Sequence, residues 1–330
     1  MLEANNIYLG NCLDVMKKID DKSVDMILCD LPYGTTACEW DTVIPFEPLW
    51  KEYKRIIKLD GVIVLFGDQP FTSELVCSNI NWYSHSWIWD KNNSSNYTLA
   101  KVQPLKTTED IIVFKRPNNN DLESFTELKN IFKKIMKQIG KSKKQIIDDL
   151  GHGLDHCFRV NSLQWGLPTE ENYIKMINLY NLINVPSYSR LKNMYENEFR
   201  NRYNPQGVIA FNKTTKRGSS AKHFGNNSKL NIENMQEFTN YPRNILKFIK
   251  TKDDKGLHPA QKPVALLEYL IKTYTNSSET VLDNCMGAGS TGVACININR
   301  SFIGIEKHEQ FYEIAKKRIE ETYHKIKNKK

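Results

Sequence analysis

Residues 280–299 read TVLDNCMGAGSTGVACININ. A short apolar strand ends at the acid Asp283, a glycine loop follows, and STGVACINI continues with the spacing of a helix. Gly287, Gly289 and Gly292 fall in the G-x-G-x-x-G pattern that lets backbone amides approach a phosphorylated or sugar-bearing ligand closely. The next strand-like run, SFIGIE, ends at Glu306, where a carboxylate can grip ribose hydroxyls. Strand, loop, helix and acid in this order predict a site for a nucleoside cofactor.

A second stretch, ILCDLPYGTTACEWD at residues 27–41, also ends an apolar run abruptly in an acid. Val24, Met26, Ile27, Leu28 and Cys29 read as a buried strand. The strand delivers Asp30, Leu31, Pro32 and Tyr33 to its carboxyl end, the edge at which open α/β sheets bind ligands. From these residues alone, a plain Pro-Gly turn at a strand end reads the same way. Asp68 and Gln69, after the strand-like VIVLFG, occupy another such end and fit either a pocket wall or a turn.

The elements that must position these groups alternate. Up to residue 117, strand-like and helix-like patterns succeed one another, which points to a largely parallel sheet covered by helices. YLGNCLDVMKKI reads as a lead-in and helix, and PFEPLWKEYKRIIKLDG as an amphipathic helix. The pattern then changes. In SFTELKNIFKKIMKQIG, Leu128, Ile131, Phe132, Ile135, Met136 and Ile139 share one helical face, and the lysines are expected on the other. Ser142 and Gln145 form a capping-box pattern that opens a short helix ending at Gly151. LDHCFR reads as a third helix, and Thr169 caps a fourth over TEENYIKMINLYNLI. Short helices around a tight glycine turn, with a basic surface, resemble a helix-turn-helix unit. Residues 201–236 have little periodicity and read as a long loop. The α/β pattern resumes near Tyr241. The expected organisation is a catalytic half at 1–117, a basic, mainly helical insertion at 118–235, and a cofactor-binding half at 236–330.

Composition narrows the class. The net charge of +8 is concentrated: seven lysines and no acid lie between Lys129 and Lys144. Lys213, Lys216, Arg217 and Lys222 form a second acid-free group. Such clusters suit a polyanion. The seven cysteines have no paired spacing, so neither a disulfide framework nor a zinc module is expected. His152 and His156 beside Cys157 lack a second ligand pair, and no metal is expected. No signal peptide or membrane-spanning run is visible, which predicts a cytoplasmic protein. A dehydrogenase normally begins with its glycine-loop unit. Here that unit comes late, and the strand ending at Asp30 comes early.

In this order the motifs resemble the β class of amino-directed DNA methyltransferases, the phage-type adenine methylases above all. DLPYG is similar to their D-P-P-Y catalytic motif, and LHPAQKPVALLEYLI at residues 257–271 to their His-Pro-x-Gln-Lys-Pro segment. LDNCMGAGSTGVA is similar to their Asp-Pro-Phe-x-Gly-Ser-Gly loop, and FIGIEKHEQFYEIAKKRI to the acidic strand end and helix that follow it. The likeness covers roughly residues 7–116 and 240–322. Two departures stand out: Leu31 where proline is usual, and Asn284–Cys285 where Pro-Phe is usual.

The resemblance implies a Rossmann-like methyltransferase sheet with permuted motif order and S-adenosylmethionine as the methyl donor. Asp283, Cys285, Gly287, Gly289, Glu306 and Lys262 would line its pocket, joined by Asp68 from its strand end. Asp30 and the Leu31 carbonyl would each accept a hydrogen of an exocyclic base amine, with Pro32 fixing the turn and Tyr33 stacking on the base. The base would be adenine, flipped from duplex DNA, with cytosine N4 as the alternative within the class. A DNA-binding regulator on an inactive methyltransferase fold is the alternative outside it. Lys141, Lys143 and Lys144 in the insertion, with Lys213, Lys216 and Arg217, would contact phosphates. A cognate restriction endonuclease and a homodimer are the further partners implied.

Overall fold

In the computed structural model the described residues are all except 1, 37, 39–40, 96, 117–125, 152–153, 161–164, 199–202, 217–232, 252–255, 258–259 and 329–330. The chain opens with β1 (Asn6–Leu9), α1 (Cys12–Met16), β2 (Val24–Cys29) and α2 (Phe46–Ile56). Next come β3 (Ile57–Gly67), α3 (Phe71–Ser78), β4 (Tyr83–Ser95) and β5 (Lys106–Lys115). Four helices follow: α4 (Thr126–Ile139), α5 (Lys143–Leu150), α6 (Glu170–Tyr180) and α7 (Tyr188–Glu198). The remainder is β6 (Ile209–Lys216), β7 (Glu233–Thr239), β8 (Ile245–Lys247), α8 (Val264–Tyr274), β9 (Thr280–Asp283), α9 (Ser290–Asn297), β10 (Ser301–Glu306) and α10 (Glu309–Lys327).

Contacts divide the chain into two compact units, residues 1–58, 62–113 and 202–330 in the first and 59–61 and 114–201 in the second. The first unit carries an eight-stranded sheet ordered β1-β10-β9-β2-β3-β5-β4-β8. The pairs β1–β10, β10–β9, β9–β2, β2–β3 and β4–β8 are parallel. This is the expected α/β class, and its permuted order is explicit, because β9 and β10 pair directly beside β2. All six residues of β2 are buried, which is why VDMILC reads as a continuous run rather than an alternation. Even Asp25 is inside; it pairs with Lys58 at 2.7 Å and accepts from the Thr280 N–H at 3.0 Å. Helix α2 buries Leu49, Trp50, Tyr53 and Ile56, a single face. Of the run YLGN, read as a lead-in, Tyr8 and Leu9 end strand β1 and Asn11 caps α1.

The second unit has its own core. Leu128, Phe132, Ile135, Ile146, Leu150, Tyr173, Met176 and Leu191 meet there, with Phe132 edge-on to Trp165 at 5.8 Å. The capping box of Ser142 and Gln145 is formed, Gly151 ends α5, and the Thr169 side chain caps α6.

Four further expectations need correction. Residues 155–158 form turns after a 3₁₀ residue at Leu154, rather than an α-helix. Leu154, Cys157 and Phe158 are buried at the expected spacing, but so short a segment packs without the cost of nucleating a helix. Lys129 is buried, 6% exposed, so the lysines of α4 do not all lie on its outer face. The segment read as a loop over 201–236 contains β6, which pairs antiparallel with β7 from Ile209↔Thr239 to Lys216↔Glu233. This hairpin exposes Ile209 and Phe238, so backbone pairing holds it without the apolar alternation that would announce it. It belongs to the first unit, so the expected insertion at 118–235 is divided between the two units.

Candidate active site

Parallel strands deliver their carboxyl ends to one edge. β2, β9 and β10 lie near one another in the sheet, and their ends place Asp30, Asp283 and Glu306 around one cavity of about 480 Å³. Leu31, Pro32, Tyr33, Lys262, Cys285 and Gly287 also line it. The two stretches from which the sequence was read therefore form a single site.

At the β2 end the polar groups form a closed set. Lys262 Nζ lies 2.6 Å from Asp30 Oδ2 and 2.6 Å from Glu109 Oε1. The Tyr33 hydroxyl lies 2.6 Å from Asp30 Oδ1 and 3.0 Å from Glu109 Oε1, so its one hydrogen is shared between the two acceptors, the shorter contact being to Asp30. Lys91 stands 3.7 Å from Glu109. The Tyr33 ring stacks on Phe71 with centroids 5.0 Å apart, and Lys262 sits 4.9 Å from the Phe66 ring centroid. Burial pushes the Asp30 carboxyl above its ordinary range, and Lys262 opposes that push. For Glu109 the opposition wins: despite burial, Lys262 holds it below the usual carboxylate range. Burial, Asp30 and Glu109 raise Tyr33 well above an ordinary phenol, so its hydroxyl remains a donor. Lys262 stays charged because its two carboxylates outweigh its burial.

At the other end the glycine loop is held from both sides. Glu306 accepts from the Gly287 N–H at 2.7 Å and the His308 N–H at 2.8 Å. Arg318 of α10 donates to the Ala288 carbonyl at 3.1 Å and to Ser290 Oγ at 2.9 Å. Gly289 has φ +78°, and a Cβ there would fall 3.0 Å from Cβ of Ala315, so it serves loop geometry and packing rather than the cavity wall. Asp283 accepts from Thr291 Oγ1 at 2.5 Å and the Cys285 N–H at 3.2 Å. Burial lifts its pKa to about 7. The departure at Asn284 also has a local partner, since the Tyr53 hydroxyl donates to its Oδ1 at 2.5 Å. Cys12, Cys29 and Cys285 line the cavity at this end.

Other expected site residues fall elsewhere. Asp68 does not line the cavity and is ion-paired with Lys106. Lys262 does line the shared cavity, and its ammonium there is held by Asp30 and Glu109. Lys141 pairs with Asp149 and Lys143 with Asp155, each at 2.7 Å, which neutralises much of the charge expected to face phosphates. Lys144 is exposed, as is Lys213, whose ammonium lies 5.4 Å from the Phe211 ring centroid. Lys216 ends β6, and Arg217 lies outside the described residues, as do His152 and the His-Pro of the 257–271 segment. Among the described residues no cluster of His, Cys, Asp or Glu could hold a metal ion, and no helix is long and apolar enough to cross a membrane.

Glu109, Lys91 and Asp41 were missed. A signal existed for the first two. Glu109 shares strand parity with the buried Ile111 and Val113, and Lys91 with Trp87 and Trp89, so each continues an apolar face with a charge. Asp41 had none.

The donor set suits a nucleoside that carries positive charge and a ribose diol, because acids stand at both ends of a cavity walled by a glycine loop. Comparison with known proteins agrees. The DNA methylase family of N6 and N4 enzymes matches residues 24–317. The type II methyltransferase M1.MboII of Moraxella bovis is 23% identical over 327 residues, 96% of each chain. M.HindIII of Haemophilus influenzae is 38% identical over 120 residues, 34% of this chain and 39% of that one. Among solved structures, the cytosine-N4-specific PvuII DNA methyltransferase shares the fold with a TM-score of 0.51 at 11% identity, covering 99% of this chain and 94% of that one. The chain belongs to the N6/N4 DNA methylase family, a DNA methyltransferase whose methyl donor is S-adenosylmethionine.

Proposed function

We propose that the chain methylates the N6 amine of adenine flipped out of duplex DNA. The observation that carries this reading is the shared cavity: the carboxylate of the D-P-P-Y-like motif and the glycine loop open into one space. An exocyclic amine is a poor nucleophile because its lone pair is delocalised into the ring. Asp30 accepts one amine hydrogen, and the Leu31 carbonyl accepts the other, which keeps the lone pair directed at the methyl group. Each carboxylate oxygen has two lone pairs, so Asp30 can take the amine while keeping Lys262 and Tyr33. Lys262 opposes the burial that raises Asp30, and in its ionised form a carboxylate can only accept. Tyr33 offers its ring to the base. When bound, S-adenosylmethionine would supply the electrophilic methyl group and leave as the neutral thioether as its S–C bond is exchanged for the new N–C bond, the methylated amine giving up one proton; Glu306 and the Gly287 loop would hold its nucleoside. Positioning and charge stabilisation do most of the work, and no covalent protein nucleophile is needed.

Extruding the base costs a few kcal/mol, which phosphate contacts by the basic clusters offset. Because the relatives are type II methyltransferases, we assign the protein to the modification side of such a system, with a cognate endonuclease as its counterpart. Adenine is favoured over cytosine by the leading aspartate, since cytosine-directed relatives more often carry serine there. The deciding experiment uses labelled S-adenosylmethionine and mixed-sequence duplex DNA, followed by digestion to nucleosides. Label in the N6-methyladenine nucleoside supports the proposal. Label in the N4-methylcytosine nucleoside selects the other enzyme of the class, and DNA binding without any label selects the regulator.

A further inference from the structure

Asp41 gathers four consecutive backbone N–H groups on one carboxylate. Its Oδ1 accepts from Tyr33 at 2.7 Å and Gly34 at 2.9 Å, and its Oδ2 from Thr35 at 2.9 Å and Thr36 at 2.7 Å. The residue is 7% exposed. Burial opposes its charge, yet the hydrogen bonds from Thr36, Gly34 and Tyr33 hold its pKa below the usual range, so it is a full anion. Charge-assisted bonds of this kind are about twice as strong as neutral ones, and four on one group form a firm anchor. The backbone is folded tightly around it. Gly34 has φ +69°, and a Cβ there would stand 2.8 Å from Val43 Cγ2, two residues beyond Asp41. The anchored segment begins at Tyr33, the last residue of the motif that faces the cavity, and Asp41 lines the same cavity.

We propose that Asp41 is a positioning residue for methyl transfer: by clamping the amides of residues 33–36, it fixes the Tyr33 ring and the peptide units just before it. This rests on the reading of Asp30–Tyr33 as the amine-holding motif. A carboxylate is required because one oxygen must serve Tyr33 and Gly34 while the other serves Thr35 and Thr36. An amide offers one acceptor oxygen and turns its NH₂ toward two donors. Freed of the clamp, the loop drifts, and a displacement of about 1 Å at such a site costs about 10²-fold in rate.

The test compares Asp41→Asn, Asp41→Ala and Asp30→Ala with the unaltered protein, using unmethylated mixed-sequence duplex DNA and labelled S-adenosylmethionine. Kcat for Asp41→Asn should fall by roughly 10- to 10²-fold. Its S-adenosylmethionine Kd by calorimetry and its DNA Kd should hold, while its melting temperature falls by a few degrees, because two N–H groups lose their acceptor, and amide exchange at residues 33–36 accelerates. Wild-type kcat in Asp41→Asn despite faster exchange overturns the proposal, as does a loss of cofactor affinity matching the loss of rate. If Asp41→Ala does not fold, Asp41→Asn, which keeps the shape of the side chain, decides alone. Full activity in Asp30→Ala would instead bring down the amine-holding reading, and the role proposed for Asp41 would fall with it.

Discussion

Lys262 and Asp30 lie 232 positions apart in the chain and 2.6 Å apart at the site. The lysine is shared with Glu109, so one buried cation stands between a buried and a half-buried carboxylate. Removing it would take from Asp30 the cation that opposes its burial and leave Glu109 only the longer contact to Lys91. The Asp30 carboxyl, already raised by burial, would then rise further.

The acidic limb of the pH–rate profile checks this. With Asp30 required in its ionised form, kcat/KM falls as pH drops through its raised pKa, above the ordinary carboxylate range. In Lys262→Met the limb should move to higher pH, with partial recovery of rate in alkaline buffer. An unmoved limb would detach Lys262 from the state of Asp30.

The two ends of the cavity should separate kinetically. Asp30→Ala is expected to lose about 10²-fold or more in kcat with cofactor affinity intact, the scale of removing one group aimed at a reacting centre. Glu306→Gln should weaken S-adenosylmethionine by about 10-fold or more, the scale of one hydrogen bond to a charged group. Calorimetric titration and single-turnover rates distinguish them, and unchanged affinity in the second variant would remove Glu306 from the binding set.

Asp283 gives a stability signature. Its folded pKa is about 7, above the unfolded carboxylate value, so between those values the folded state binds the extra proton. Stability of the cofactor-free protein should therefore decline as pH rises from about 4 to about 7 through this group. Asp283→Asn should flatten that decline in urea midpoints measured across the range. An identical slope in both proteins would place the titration elsewhere.

DNA binding should distinguish paired from exposed lysines. Lys144→Ala is expected to reduce the log K against log salt slope by about 1 if it meets a phosphate. Lys143→Ala, which loses a charge already matched by Asp155, should change the slope less. Equal effects would mean that DNA breaks the Lys143–Asp155 pair on binding.

Much of the frame was legible because parallel strands buried on both faces advertise themselves. VDMILC, VIVLFG and SFIGIE are strands, and the acids that end the first and last face one cavity. The caps at Ser142 and Thr169 were legible because their chemistry is local. The β6–β7 hairpin was not, since its strands leave apolar residues exposed and show no periodic face. Glu109 and Asp41 escaped for a different reason. Glu109 marks its strand only as a charge on an apolar face, with its partners far away in the sequence, and Asp41, whose partners are backbone amides, leaves no mark in residue type. Asp68 was misplaced because a strand end also suits an ion pair, here with Lys106.

The bond from the Thr280 N–H to Asp25 joins β9 to β2 across 255 residues. Half of the cavity is therefore contributed by the late strands, and β2 has only β3 to pair with until they arrive. An incomplete chain ending before β9 would display one edge of a strand whose six residues are all buried in the finished sheet, a template for pairing between molecules. Contacts of such long range also slow folding. C-terminal truncations should accordingly yield insoluble protein rather than a soluble half-enzyme, and chaperone demand during synthesis should peak before β9 emerges.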